Sequence, residues 1–124
     1  MSGKEAIEAV RAKWPVLFNG GKVDELGEWF YAEDAYALPP DRDPIRGRRA
    51  IVEYFREVRG SGDTRFELGV IETVAAGDMG YLVGTYVFTS GAKSVNGVTH
   101  EAYRRQADGS WKCVVDMWHN SEPA

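Results

Sequence analysis

The sequence predicts an α+β domain in which helices cover one face of a curved sheet, and three observations lead there. Apolar residues recur at helical spacing through the first sixty residues, the run from Thr64 onward is rich in strand formers, and Asp108-Gly109 reads as the turn of a closing hairpin. Helices first and strands afterwards is the signature of segregated layers.

Taken in order, Ser2 followed by Glu5 forms a capping box, and Ile7, Val10, Trp14, Leu17 and Phe18 place an amphipathic helix over residues 3 to 19, kinked at Pro15 and ended by Gly20-Gly21. Val23, Leu26, Trp29 and Phe30 mark a shorter second helix. After AEDA comes a short strand, Tyr36 to Leu38, stopped by Pro39-Pro40. DRDPIRG reads as a loop. Ile51, Val52, Phe55 and Val58 set a third helix between Arg48 and Arg59, closed by Gly60. The strands Phe66 to Val74, Met79 to Thr89, Val98 to Gln106 and Trp111 to His119 then follow as an antiparallel meander.

At 124 residues the chain is expected to form one domain, 1–124, with a single core. A net charge of −4 argues against nucleic acid as partner, because phosphate binding needs a cationic surface. The cluster Arg46, Arg48 and Arg49 reads as a solvated helix start. No apolar run is long enough for a membrane span, so no membrane partner is expected, and MSGKEAIEAV lacks the apolar core of a secretory signal. A cytoplasmic location is the default. Cys113 is the only cysteine and reads as an inert buried thiol. His100 and His119 are the only histidines, so no metal is expected, the alternative being a carboxylate-rich set of Glu101, Asp116 and one histidine.

The segment GVTHEAYRRQADGSWKCVVDMWHN carries the chemistry. With a two-residue type I′ turn at Asp108-Gly109, paired residues sum to 217, which sets Tyr103 against Val114, Glu101 against Asp116 and Thr99 against Trp118 on one face. Two like charges so placed push one acid's pKa up while the other stays ionised. A three-residue loop with a bulge would shift the sum to 216 and set Asp116 opposite His100. The bland alternative is a wet face on which Arg105 and Lys112 pair with the acids.

NGGKVDELGEWFYAEDAYALPPDRDPIRGRRAIVEYF resembles the front half of the nuclear transport factor 2-like superfamily, and YRRQADGSWKCVVDMWHN resembles its last hairpin. Within it the chain is most similar to the SnoaL-like and ketosteroid isomerase-like branch. The resemblance implies a cone, a curved mixed and mostly antiparallel sheet wrapped around three helices, with an apolar pocket at one end and dimerisation through the outer sheet face. Isomerases of the branch use a tyrosine in the first helix, an aspartate base after the first strand and a protonated acid on the penultimate strand. Those positions fall on Trp14, Pro39 and Glu101. Only the last keeps its chemistry, although Asp41 and Asp43 follow closely on the vacant base position.

Apolarity alone turns Trp111, Cys113, Val115 and Met117 toward the helices, whereas the resemblance turns Val114, Asp116 and Trp118 inward. We follow the resemblance, which also gathers Leu82, Tyr86, Phe88 and Tyr103 into one wall. The leading expectation is a cofactor-independent enzyme that uses general acid–base chemistry on an apolar cyclic or polyketide-like molecule: an isomerase, dehydratase or cyclase. Asp116 abstracts a proton and a protonated Glu101 bonds the oxyanion, or the roles reverse. Trp14, Tyr86, Tyr103, Trp118, Phe55, Leu82, Phe88 and Val114 bind substrate, and Arg105 biases the acids from the rim. The rivals are a water-mediated epoxide hydrolase, as in limonene epoxide hydrolase relatives, and a non-catalytic binding or oligomerisation module. A homodimer is expected.

Overall fold

The computed structural model describes residues 1–121. Helix α1 spans Gly3–Asn19 and begins with the anticipated capping box: Glu5 N–H donates to Ser2 Oγ at 3.1 Å, and Ser2 N–H donates to Glu5 Oε1 at 3.2 Å. Pro15 lies within this helix without ending it. Helix α2 (Val23–Phe30) and helix α3 (Arg48–Arg59) also lie where their periodicity places them. The strands are β1 (Tyr31–Leu38), β2 (Ile45–Arg46), β3 (Thr64–Ala76), β4 (Met79–Ser90), β5 (Lys93–Arg105) and β6 (Trp111–Asn120).

These strands form one mixed sheet in the order β2-β1-β6-β5-β4-β3, antiparallel throughout except where β1 runs parallel to β6. The largest differences from the sequence reading lie in β1, β2 and β5, which starts at Lys93 rather than Val98. β1 starts at Tyr31 rather than Tyr36, because Glu33 and Asp34, which the sequence reading leaves outside the strand, are solvent-facing residues of a strand whose Tyr31, Ala35 and Ala37 are buried. The segment read wholly as loop contains β2, whose Ile45 is paired with Ala37. The helices pack on one face of the sheet. Ile7, Trp14, Leu17 and Phe18 of α1, Leu26 and Phe30 of α2, and Ile51 and Phe55 of α3 meet Tyr31, Leu82, Tyr103, Trp111 and Cys113. Each large apolar side chain so buried contributes about 1.5–3 kcal/mol.

The β5–β6 ribbon decides which acids meet. Gln106 N–H donates to Ser110 O at 2.7 Å, so the loop is the three residues 107–109, and Gly109 takes φ 89°. A type I′ turn needs positive φ at Asp108 as well, and no non-glycine residue has one among the described residues. Near the turn the pairs accordingly sum to 216, as in Tyr103 with Cys113 and Arg105 with Trp111. A bulge at Val114 then restores the other register, so Ala102 pairs with Val115, Glu101 with Asp116 and Thr99 with Trp118. The acids face each other although the turn is not the expected one.

That bulge also resolves the orientation of β6. Before it, Trp111 and Cys113 are buried against the helices; beyond it, Asp116 and Trp118 point inward while Met117 is exposed. One inserted residue reverses the alternation of a strand, so each of the two conflicting patterns holds for half of β6.

Candidate active site

On α1, Ile7, Arg11, Trp14 and Phe18 follow one another at spacings of four, three and four, so they share the stripe facing the sheet. Arg11 is the exception on that stripe. Its guanidinium is only 3% exposed, and its Nε donates to Glu101 Oε1 at 2.9 Å and Oε2 at 3.0 Å. Nη1 donates to Gly69 O at 2.9 Å and Nη2 to Thr99 Oγ1 at 3.1 Å. Gly84 makes the seat, since a Cβ there would lie 2.5 Å from Nη2.

Glu101 also accepts a short hydrogen bond from the Tyr103 hydroxyl. With both oxygens taken by donors, it has the geometry of a carboxylate in an ion pair, not of a neutral acid donating to substrate. The sequence reading expects a protonated Glu101 with Arg105 as the nearby cation; the structure instead sets Arg11 against it as its ion-pair partner.

Asp116 sits opposite with no cation of its own. The Tyr31 hydroxyl donates to its Oδ2 at 2.6 Å, and Trp14 Nε1–H donates to the Tyr31 hydroxyl oxygen at 3.2 Å. Burial, reinforced by the neighbouring Glu101 charge, raises Asp116 to about 7, against the opposing pull of the Tyr31 hydrogen bond and Arg11. Tyr31 itself is raised well above the ordinary range, first by burial and then by Asp116, so it remains a proton donor to the carboxylate.

The cavity in front of these groups is an inner chamber of about 40 Å³, bounded by Arg11, Thr99, Glu101 and Asp116 on its polar side and by Trp14, Phe30, Phe55, Phe66, Leu68, Tyr86 and Trp118 elsewhere. That is room for roughly three waters or one small functional group. An adjoining vestibule of about 200 Å³ leads toward the surface past Phe88, Tyr54, Val95, Asn120 and Asp41.

Among the expected site residues, Trp14, Phe55, Tyr86, Trp118, Glu101 and Asp116 line the chamber, and Phe88 lines the vestibule. Four do not reach it. Tyr103 and Leu82 are fully buried core, Tyr103 standing behind Glu101 because the ribbon's register near the turn pairs it with Cys113. Val114 is the bulge residue and packs at the core's edge. Arg105 lies beside the β5–β6 turn, where Nε donates to the exposed Asp78 at 2.9 Å; Arg11 takes the place expected of it. Asp41 borders the vestibule, whereas Asp43 does not.

His100 follows an inward-facing residue and therefore points to the outer face, where it stacks on His119 at 5.2 Å. The alternative metal set of two acids and a histidine is thus split across the sheet, and no such cluster occurs among the described residues. Cys113 is fully buried, and burial raises its thiol well above the usual range, as suits an inert core residue.

Sequence reasoning missed Arg11 and Tyr31. An arginine on the apolar stripe of α1 was a visible signal, because a cation on a buried face needs an acid to meet it. Tyr31 carried no such signal, since it falls at a helix-to-strand boundary.

A three-helix layer on one face of an open mixed sheet is the architecture of the nuclear transport factor 2-like class. Within it the chain belongs to the SnoaL-like domain family, whose profile matches residues 10–114. Solved structures agree in fold. A ketosteroid isomerase-like protein from Erwinia carotovora atroseptica is similar with TM-score 0.82 at 18% identity, covering 97% of both chains. An NTF2-like protein with a cystatin-like fold from Novosphingobium aromaticivorans gives 0.86 at 20% identity, covering 97% of this chain and 82% of that one. A candidate scytalone dehydratase from the same species gives 0.80 at 14% identity, covering 95% and 83%. No curated protein matches the chain in sequence. No helix among the described residues is long and apolar enough to cross a membrane.

Proposed function

We propose that the protein is a small cofactor-independent enzyme that moves protons on an apolar, ring-containing molecule, by isomerisation, dehydration or cyclisation, with Asp116 as the proton-transferring group. One observation carries this reading: Asp116 borders a chamber walled by aromatic rings with its second oxygen free of hydrogen bonds among the described residues, and burial beside Glu101 pushes its carboxyl up to about 7. A general base works best when its pKa lies near the operating pH.

The remaining groups have parts that follow from their contacts. Tyr31, backed by Trp14, fixes the orientation of the Asp116 carboxylate. Arg11 carries five N–H bonds. Nε spends one on Glu101 and the two terminal nitrogens one each on Gly69 and Thr99, which leaves one on each terminal nitrogen for an oxygen that gains charge as Asp116 takes its proton. Glu101 then serves as the counter-ion that holds Arg11 in place. The vestibule accommodates the apolar body of the substrate. A homodimer formed through the outer sheet face, where Tyr36 and Met117 are both 39% exposed, belongs to the same proposal.

The experiment is exchange of α-hydrogens of small cyclic ketones and enones into D2O, followed by proton NMR. The native protein is expected to accelerate exchange with a rate that rises through pH 7. Asp116→Asn is expected to lose about 10²–10⁴-fold. Ring binding without exchange in the native protein would instead mark a binding module.

A further inference from the structure

The chamber and the vestibule share four side chains: Phe55, Phe66, Tyr86 and Trp118. Three of them are locked by neighbouring rings. Phe55 touches Trp14 at 5.2 Å, Tyr54 at 5.1 Å and Trp118 at 5.8 Å; Phe66 touches Trp14 at 5.0 Å, Phe18 at 4.9 Å and Phe88 at 4.7 Å. Tyr86 differs. Its one ring contact among the described residues is the looser approach to Phe66 at 6.3 Å, and its hydroxyl is held by a short hydrogen bond to Asn120 Oδ1.

The register explains how that bond is reached. Tyr86 on β4 pairs with Gly97 on β5, and Gly97 pairs with Asn120 on β6, so the tyrosine must cross a whole strand to meet its acceptor. It does so by lying over bare backbone: a Cβ at position 97 would stand 2.2 Å from Tyr86 Cε1 and 2.3 Å from Cζ. Asn120 is exposed and is the last residue of β6. The strip from Tyr86 through Gly97 to Asn120 is therefore a ring resting on a flat, side-chain-free floor and fastened at its far end by one polar bond.

We propose that Tyr86 is the residue that controls passage between vestibule and chamber, with Asn120 as its latch and Gly97 as the floor on which the fastened ring lies. Fastened, the ring separates the two spaces. Released, it joins them into one cavity long enough for a planar one- or two-ring molecule whose reacting end meets Asp116. This rests on the reading of the chamber as the place where ligand meets Asp116, and it adds which residue decides what arrives there.

A gate differs from an ordinary wall residue in its kinetics. Because the bound molecule spans the neck with the latch already released, weakening the latch speeds arrival and raises affinity in step, whereas removing a contact speeds departure and lowers affinity. The probes are fluorobenzene and fluoronaphthalene, with exchange rates and affinities taken from fluorine NMR on the native protein, Asn120→Ala and Tyr86→Phe. Both variants keep the ring and the glycine floor and drop only the latch. Each is expected to raise association of fluoronaphthalene by about tenfold, the worth of one net hydrogen bond, with affinity rising by a similar factor and dissociation within about threefold of native. Fluorobenzene is expected to show the same direction with a smaller change.

Unchanged rates in both variants, a change confined to dissociation, or no binding of either probe to the native protein would each overturn the proposal. A separate readout isolates the underlying functional reading: the Asp116 carboxyl titration, followed by carbon NMR, is expected to move upward when fluoronaphthalene saturates the native protein. If it stays put while the latch variants speed association, the gate stands and the role of Asp116 falls.

Discussion

Glu101 and Asp116 lie directly across one ribbon, both less than a tenth exposed, yet their surroundings separate them completely. The Glu101 side is strapped: its carboxylate accepts from Arg11 on α1 and from the Tyr103 hydroxyl, and Arg11 is in turn held by Thr99 on β5 and Gly69 on β3. The Asp116 side is left with a single tyrosine hydroxyl and an open chamber. The two acids thus differ in their partners: Arg11 is ion-paired with Glu101, whereas Asp116, raised to about 7 chiefly by burial and then by the Glu101 charge, feels Arg11 only through space.

The largest way to break this contrast is to remove the cation. Arg11→Met leaves Glu101 buried without its partner, and the expected loss is about 3–5 kcal/mol in urea unfolding at pH 7. Pairing it with Glu101→Leu is expected to recover most of that loss, because the stranded charge leaves with its partner.

Next is Asp116→Asn. The folded-state pKa of Asp116 is raised from 3.8 to about 7, so between those values the folded protein holds a proton that the unfolded chain has released, and native stability falls as pH rises through that window. Below pH 3.8 the two proteins should differ little. Above pH 7 the asparagine variant should be the more stable by up to about 4 kcal/mol, because each pH unit of that window costs the native protein about 1.4 kcal/mol. Equal pH dependence in parallel denaturation series would contradict that sign.

Tyr31→Phe sharpens the contrast from the other side by deleting the only hydrogen bond to Asp116 among the described residues and leaving Trp14 Nε1 without its acceptor. We expect a cost of about 1–3 kcal/mol, with the Asp116 midpoint moving upward because that bond favours the ionised form. Smallest is Thr99→Val, which removes one strap from Arg11 at an expected cost of about 1 kcal/mol and should leave the direction of every pH effect intact.

Much of this arrangement was legible in the sequence wherever a local rule fixed it. The Ser2/Glu5 box and Gly20 bounded α1, Gly60 closed α3, and the summed register put Glu101 against Asp116. The ribbon shows how narrow that success was. Asp108-Gly109 belongs to a three-residue loop, and the register survives only because Val114 bulges, a compensation between loop and strand that no pairwise rule for turns supplies. Arg11 was readable in principle as a cation on a buried stripe, but its partner lies ninety residues away on β5, and the nearer-looking Arg105 drew the assignment instead. Tyr103 and Leu82 were correctly inward but sit behind the acids, a depth that alternation along a strand does not encode.

The most direct measurement is a carbon NMR titration of the Asp116 side-chain carboxyl in the native protein. The arrangement of one cation for two buried acids requires a midpoint near 7. A midpoint in the ordinary carboxylate range near 3.8 would mean that Asp116 is as well served as Glu101, and the division of labour between the two acids would be wrong.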